Sequence, residues 1–272
     1  MHNLGCVPHG TPGLPGFTPP RLARILRAMK LQSAMAAAAT LAALGFAAAT
    51  AERWLDRRRP QELAWSVALV FFATAAGAAW WGASFGWSGG SFRVFYAFGA
   101  VINVPVLALG TWYLLARPSV ARIATFVTTV AVAFGGGVVF AAPFRAPVPT
   151  DALPQGSDVF GPLPRIFAAT GSALGASVLL GGALWSAARL LRVHDASARR
   201  LAAANGLIAT GTLILSAGGL LNSVLAEMEG FAITLVAGVL LLFAGFLITT
   251  PRSTGPGATL SPVEAPAEAP SP

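Results

Sequence analysis

Apolar and polar positions do not alternate along this chain. They segregate into long apolar blocks divided by short polar ones. Seven blocks stand out: Leu31–Ala51, Leu63–Ala83, Phe95–Leu115, Ala121–Ala141, Ile166–Ala188, Ala203–Val224 and Phe231–Thr249. Each is close to the length of about 20 residues that a helix needs to cross the hydrocarbon core of a bilayer. The runs are continuous, with none of the period-2 alternation of a membrane β-barrel, so the pattern predicts an all-α bundle of seven transmembrane helices. The blocks define one membrane domain, residues 31–249. Two flanks, 1–30 and 250–272, are rich in Pro, Gly, Ser and Ala and are expected to be disordered. Most connections are short, so neighbouring helices should be antiparallel. The exception is Ala142–Arg165, with Pro143, Pro147, Pro149, Pro154, Pro162 and Pro164. It reads either as a semi-rigid cap over the bundle or as a spacer between two helix triplets.

Composition agrees with the pattern. Hydrophobic residues make up 55% and charged residues 10%, with a mean hydropathy of +0.68, whereas soluble domains are about a quarter charged. The net charge of +8 does not point to nucleic acid, because the basic residues cluster beside the ends of the blocks rather than along a soluble face. With the N-terminus outside, Arg53, Arg57, Arg58, Arg59, Arg117, Arg122, Arg189, Arg192, Arg199, Arg200 and Arg252 fall inside. Arg93, Arg145, Arg165, Arg21, Arg24, Arg27 and Lys30 fall outside. Positive charge favours the cytoplasmic side, so N-out and C-in is the expected orientation. Two readings bear on the discordant N-terminal charges: translation from Met29, or cleavage of Leu31–Ala51 as a signal peptide at Ala49-Thr50-Ala51. The second would place the Arg57–Arg59 run outside, against the charge bias. Seventeen arginines against one lysine, with abundant alanine, fit a GC-rich genome and hence a bacterial plasma membrane. The sole cysteine, Cys6, excludes an intrachain disulfide.

Charged chemistry is scarce within the blocks. None of the ten acidic residues, nor any arginine or lysine, lies in the core of an apolar block, and such groups are what usually mark ion and proton paths. His2, His9 and His194 fall in tails or a loop, and no hydroxyl has a base in its own block to activate it. Glu227 and Glu229 fit a weak cation site or simply a non-basic outer loop. The chain is therefore expected to be no enzyme and to need no cofactor. A retinal photoreceptor is excluded by the lack of a lysine in Phe231–Thr249. Pro60-Gln61 matches the dipeptide of PQ-loop transporters only by coincidence, since it follows an arginine run and has no second copy.

The candidate site residues are Asn103, Pro105, Tyr96, Trp80, Trp81 and Asn222. Tyr96, Gly99, Asn103, Leu107, Gly110 and Leu114 recur at steps of three or four and should share one helix face. Asn103 lies roughly 15 Å beyond Arg93 at ~1.5 Å per residue, near the midplane. Pro105 frees a carbonyl in the preceding turn. That pair fits a polar group of a bound solute; alternatively, Asn103 hydrogen-bonds a neighbouring helix, contributing about 0.6 kcal/mol. Trp80, Trp81, Phe85, Trp87, Phe92, Phe95 and Tyr96 form either an interfacial belt or an aromatic vestibule under the proline-rich loop. Gly135-Gly136-Gly137, and Gly171 with Gly175, suit close helix packing; the triplet also suits an unwound helix. Gly211, Gly218 and Asn222 line one side of the sixth block, giving a second polar point.

The Trp80-Trp81-Gly82 cluster, Arg93 and Asn103-Val104-Pro105 fall between Leu63 and Leu115. This stretch resembles a group of uncharacterised multi-span membrane proteins from high-GC bacteria, a resemblance that implies a membrane location and no activity. Two functions remain open on sequence. One is a bundle that binds or passes a small neutral or apolar solute. The other is a structural subunit that binds a membrane-protein partner or a second copy of itself. The lipid bilayer is the expected partner in both, and nucleic acid in neither.

Overall fold

The computed structural model describes residues 19–192, 195–225 and 228–249, with side chains except at 19–30, 196, 219–232 and 249. Among the described residues the fold is all-α. Its elements are α1 (Pro19–Arg57), α2 (Pro60–Phe85), α3 (Gly89–Tyr96), a π-helical segment (Ala97–Ile102), α4 (Asn103–Leu115), α5 (Pro118–Ala141), a single turn α6 (Gly156–Val159), α7 (Pro162–Leu191), α8 (Ala196–Leu225) and α9 (Met228–Thr249). The disordered tails expected on sequence lie largely outside the described residues; the end of the first, from Pro19, is helical.

The helix boundaries follow local chemistry. Pro60, Pro118 and Pro162 each open a helix after an extended residue, at the position where a missing N–H is tolerated and a fixed φ helps. α2 stops at Gly86, whose φ of 92° is in the region glycine favours and whose N–H returns to the Gly82 carbonyl at 3.0 Å. Ser88 then caps α3: its Oγ accepts the Ser91 N–H at 3.1 Å, while Ser91 Oγ accepts the Ser88 N–H at 2.9 Å. The third helical rod therefore starts at Gly89, six residues before the Phe95 expected from hydropathy.

Six helices are long and apolar enough to cross a membrane: Leu31–Arg57, Pro60–Phe85, Gly89–Leu115, Pro118–Ala141, Pro162–Leu191 and Ser197–Gly218. α9 adds a shorter described apolar stretch, Ile233–Ile248. The rods pack in a ring that runs α1, α2, α4, α7, α8, α9 and back to α1, with α5 outside it against α4 and the π-helical segment. Phe46, Ala47, Leu69, Leu242 and Phe246 join α1, α2 and α9 in one buried cluster. One end of the ring carries the connections at 58–59 and 116–117 and the C-terminus of α7. The other carries those at 86–88 and 142–161, and is called the cap end below.

Small residues set the closest approaches. A Cβ on Gly175 of α7 would lie 2.9 Å from the Val104 carbonyl oxygen, and one on Gly211 of α8 2.8 Å from the Gly238 carbonyl oxygen of α9. The glycine triplet of α5 does not unwind the helix. Gly135 packs on Val101 and Phe167, Gly136 on Ile102, and Gly137 has nothing within 4 Å. Gly175→Ala is expected to cost about 1–3 kcal/mol, because backbone cannot yield as a side-chain tip does. Gly137→Ala is expected to be neutral or slightly stabilising. Thermal unfolding in detergent checks both.

Candidate functional site: a wide turn beneath a proline-rich cap

The third rod is interrupted at mid-length. Between α3 and α4 the chain widens to a π-helix, in which the Asn103 N–H reaches back five residues to the Phe98 carbonyl. Pro105 lies just beyond and has no N–H to give. Five residues before it, the Ala100 carbonyl instead accepts the hydroxyl of Ser172 from α7 at 2.8 Å. Pro105 itself packs beside Gly171 of α7. The freed carbonyl expected from Pro105 is thus held by a residue that sequence reasoning did not single out. Isolated wide turns of this kind recur at functional sites.

Asn103 stands at the foot of this turn and is 7% exposed. Gly99 and Gly110, on the same side of the rod, press against Ala75 and Trp65 of α2, so the α2-facing seam is where Asn103 is placed. Its side chain is not among those that hydrogen-bond within the described residues. Of the face expected from Tyr96 to Leu114, Gly99 and Gly110 share the α2 side, whereas Tyr96 packs on Phe160 and Gly156 and Leu114 is 52% exposed. Tyr96 turns instead beneath the cap.

Residues 142–161 form that cap. Phe144 and Phe160 pair as an isolated β-bridge, the Arg145 N–H donates to the Val159 carbonyl at 2.8 Å, and the Trp87 N–H donates to the Thr150 carbonyl at 3.0 Å. Phe160, Val159 and Pro154 are fully buried. The Tyr96 ring lies 5.0 Å from that of Phe160 and so close to Gly156 that a Cβ there would sit 2.4 Å from it. Arg93 fastens the assembly from α3. Its guanidinium donates to the carbonyls of Val139, Phe140 (2.8 Å) and Ala142 (2.7 Å) at the C-terminus of α5. The same group lies 4.2 Å over the Phe144 ring. A cation placed on the last carbonyls of a helix also meets the negative end of its dipole.

The other expected site residues are not brought to the wide turn. Trp80 and Trp81 are 38% and 54% exposed and pack with Phe85 in an outward cluster on α2, as interfacial rings do. Trp87, Phe92 and Tyr96 are the aromatics that meet the cap. Asn222 belongs to α8, and its side chain lies outside those described; Gly211 and Gly218 on that helix press against α9.

Buried charge is a correction to the sequence reading. Glu62, in the first turn of α2, is 1% exposed. Its Oε1 lies 3.3 Å from Arg53 Nη2 on α1, and its Oε2 is buried with no hydrogen-bond partner among the described residues. The Arg53 guanidinium also sits 4.3 Å over the Phe246 ring of α9. One turn deeper, Ser66 Oγ donates to the Ala47 carbonyl at 3.0 Å, and Thr50 Oγ donates to the carbonyls of Phe46 and Ala47. The reason is geometric. A two-residue connection, with Arg58 at φ 52°, folds α2 back along α1, so polar residues outside both apolar blocks cover each other. Comparison with protein-family models, curated proteins and solved structures found no match.

Proposed function

We propose that this chain is a seven-helix integral protein of a bacterial plasma membrane, N-out and C-in, that binds or passes a small neutral or apolar solute without chemical conversion. The backbone of α9 supports a seventh span beside the six long apolar helices. Arginines gathered at the end opposite the cap support the orientation, since cytoplasmic loops favour them. The single observation that carries the solute reading is Asn103: a residue 7% exposed, beside a wide turn, whose amide makes no side-chain hydrogen bond among the described residues and is not among the fully buried unpartnered polar atoms. An amide with no protein partner in apolar surroundings gains from any partner that restores its hydrogen bonds. A solute with one hydroxyl, carbonyl or amide on an apolar body has that chemistry. Asn103 would hold the polar group, with Pro105 keeping the turn open and Tyr96 lying towards the cap.

The test compares small molecules retained by cells carrying the wild-type protein, no protein, or Asn103→Leu. The variant is expected to match the deletion. A profile that deletion leaves unchanged contradicts solute passage. A second reading, a structural or partner-binding subunit, draws on α5: it lies outside the ring with Phe126, Val127 and Phe134 exposed. A stoichiometric membrane protein retained through gentle extraction, with no small-molecule adduct, favours that reading.

A further inference from the structure

We propose that the protein holds one anionic phospholipid in a slot between α5 and α7, open at the end opposite the cap. The two helices meet towards the cap, where the Phe134 ring lies 5.4 Å from that of Phe167 and Gly135 packs on the same ring. Helical spacing puts Leu174, Gly181 and Trp185 on the Phe167 side of α7. Along that side α5 no longer covers it. Leu174 is 71% and Trp185 68% exposed, and a Cβ on Gly181 would have nothing within 4 Å. On α5, Val127 and Ile123 continue the Phe134 side and are exposed as well. The floor is α4. Its Thr111 meets Gly182 of α7, its Tyr113 hydroxyl lies 2.6 Å from that of Thr125 on α5, and its Gly110 meets Trp65 of α2. Trp112, about 100° round the helix from either neighbour, is left on the slot side and is exposed.

Depth and charge both select a lipid. From Leu174 to Trp185 the open stretch runs about 16 Å at ~1.5 Å per residue, roughly half the hydrocarbon core and so the depth of one leaflet. A wedge that narrows to a ring contact admits flexible acyl chains throughout, whereas a helix about 10 Å across would stop short. At the mouth stand Arg117, between α4 and α5, and Arg192, two turns beyond Trp185 on the slot side of α7. Arg189, two turns beyond Gly182, follows on the side where α4 has ended. All three are exposed, and none makes an ion pair or a side-chain hydrogen bond among the described residues. No acidic residue occurs in α4, α5 or α7; Asp195, the nearest along the chain, accepts the Ser197 N–H at 3.1 Å. Basic groups between helices at a membrane surface suit an anionic headgroup, and Trp112 and Trp185 are interfacial side chains beside it. The proposal takes the helices as membrane spans and is independent of Asn103.

Native mass spectrometry of the full chain, delipidated in detergent and titrated with palmitoyl-oleoyl phosphatidylglycerol or phosphatidylcholine, tests it. The first phosphatidylglycerol is expected to bind about tenfold more tightly than the first phosphatidylcholine. Arg117→Gln with Arg192→Gln should abolish that preference. Arg57→Gln with Arg59→Gln removes equal charge at the same end, beside α1, which packs on α2 and α9, and should keep it. Gly181→Leu fills the slot from open space with every arginine in place, and should weaken both lipids. Equal affinity for the two lipids in the parent overturns the site, as does an equal loss of preference in both double variants. So does Gly181→Leu binding lipid as the parent does, or a stoichiometric protein in place of lipid on gently extracted parent.

Discussion

Arg53→Met is expected to destabilise the folded protein by about 3–5 kcal/mol, the usual effect of stranding one member of a buried ion pair. Glu62 is 1% exposed and has one oxygen paired, so without the arginine its charge stays buried and uncompensated. The double variant Arg53→Met with Glu62→Met is expected to recover most of that loss, because two apolar side chains of similar volume need no pairing. Thermal unfolding of the two single variants and the double variant in the same detergent decides it. A double variant no more stable than the worse single variant would show that the pair does more than neutralise itself.

Arg93→Ala is expected to cost about 3 kcal/mol or more. Bonds from a charged donor contribute roughly 1.5–3 kcal/mol each, and here three carbonyls at the end of α5 lose their donor together. The cap loses its cation under Phe144 at the same time. Arg93→Lys should fall in between, since an ammonium cannot span several carbonyls as a planar fork does. The readout is proteolysis of residues 142–161 by protease added outside right-side-out vesicles. Cleavage of Arg93→Ala but not of the parent fits a latched cap on the outer face. Cleavage only after the vesicles are opened would reverse the proposed orientation.

What could be read from the sequence divides along the range of the forces involved. Apolar blocks are local, so they reveal the long helices, but the helices start at Pro60, Pro118 and Pro162, three or four residues ahead of blocks that begin at Leu63, Ala121 and Ile166. The start of the third rod was misplaced because Ser88 and Ser91 cap it with polar atoms that a hydropathy reading counts against a helix. Pro105 signalled a broken ladder, but neither the π-turn nor Ser172, which answers it from α7, has a local signature. Arg93 meets carbonyls 46 to 49 residues away, and nothing in the chain announces that. Glu62 was legible in principle. In a tight hairpin turning at Arg58 and Arg59, the last turns of α1 lie against the first turns of α2, which pairs Arg53 with Glu62 and Ala47 with Ser66. Glu62 falls one residue outside the apolar block Leu63–Ala83, so hydropathy alone does not show its burial.

The solute site is tested most directly by native mass spectrometry of the full protein, extracted gently from its own membranes and compared with Asn103→Leu. A small-molecule adduct on the native protein that the variant loses, with lipid adducts unchanged, is the predicted result, and its mass identifies the solute class. Identical spectra from the two proteins, carrying lipids or a partner subunit alone, would contradict a site at Asn103.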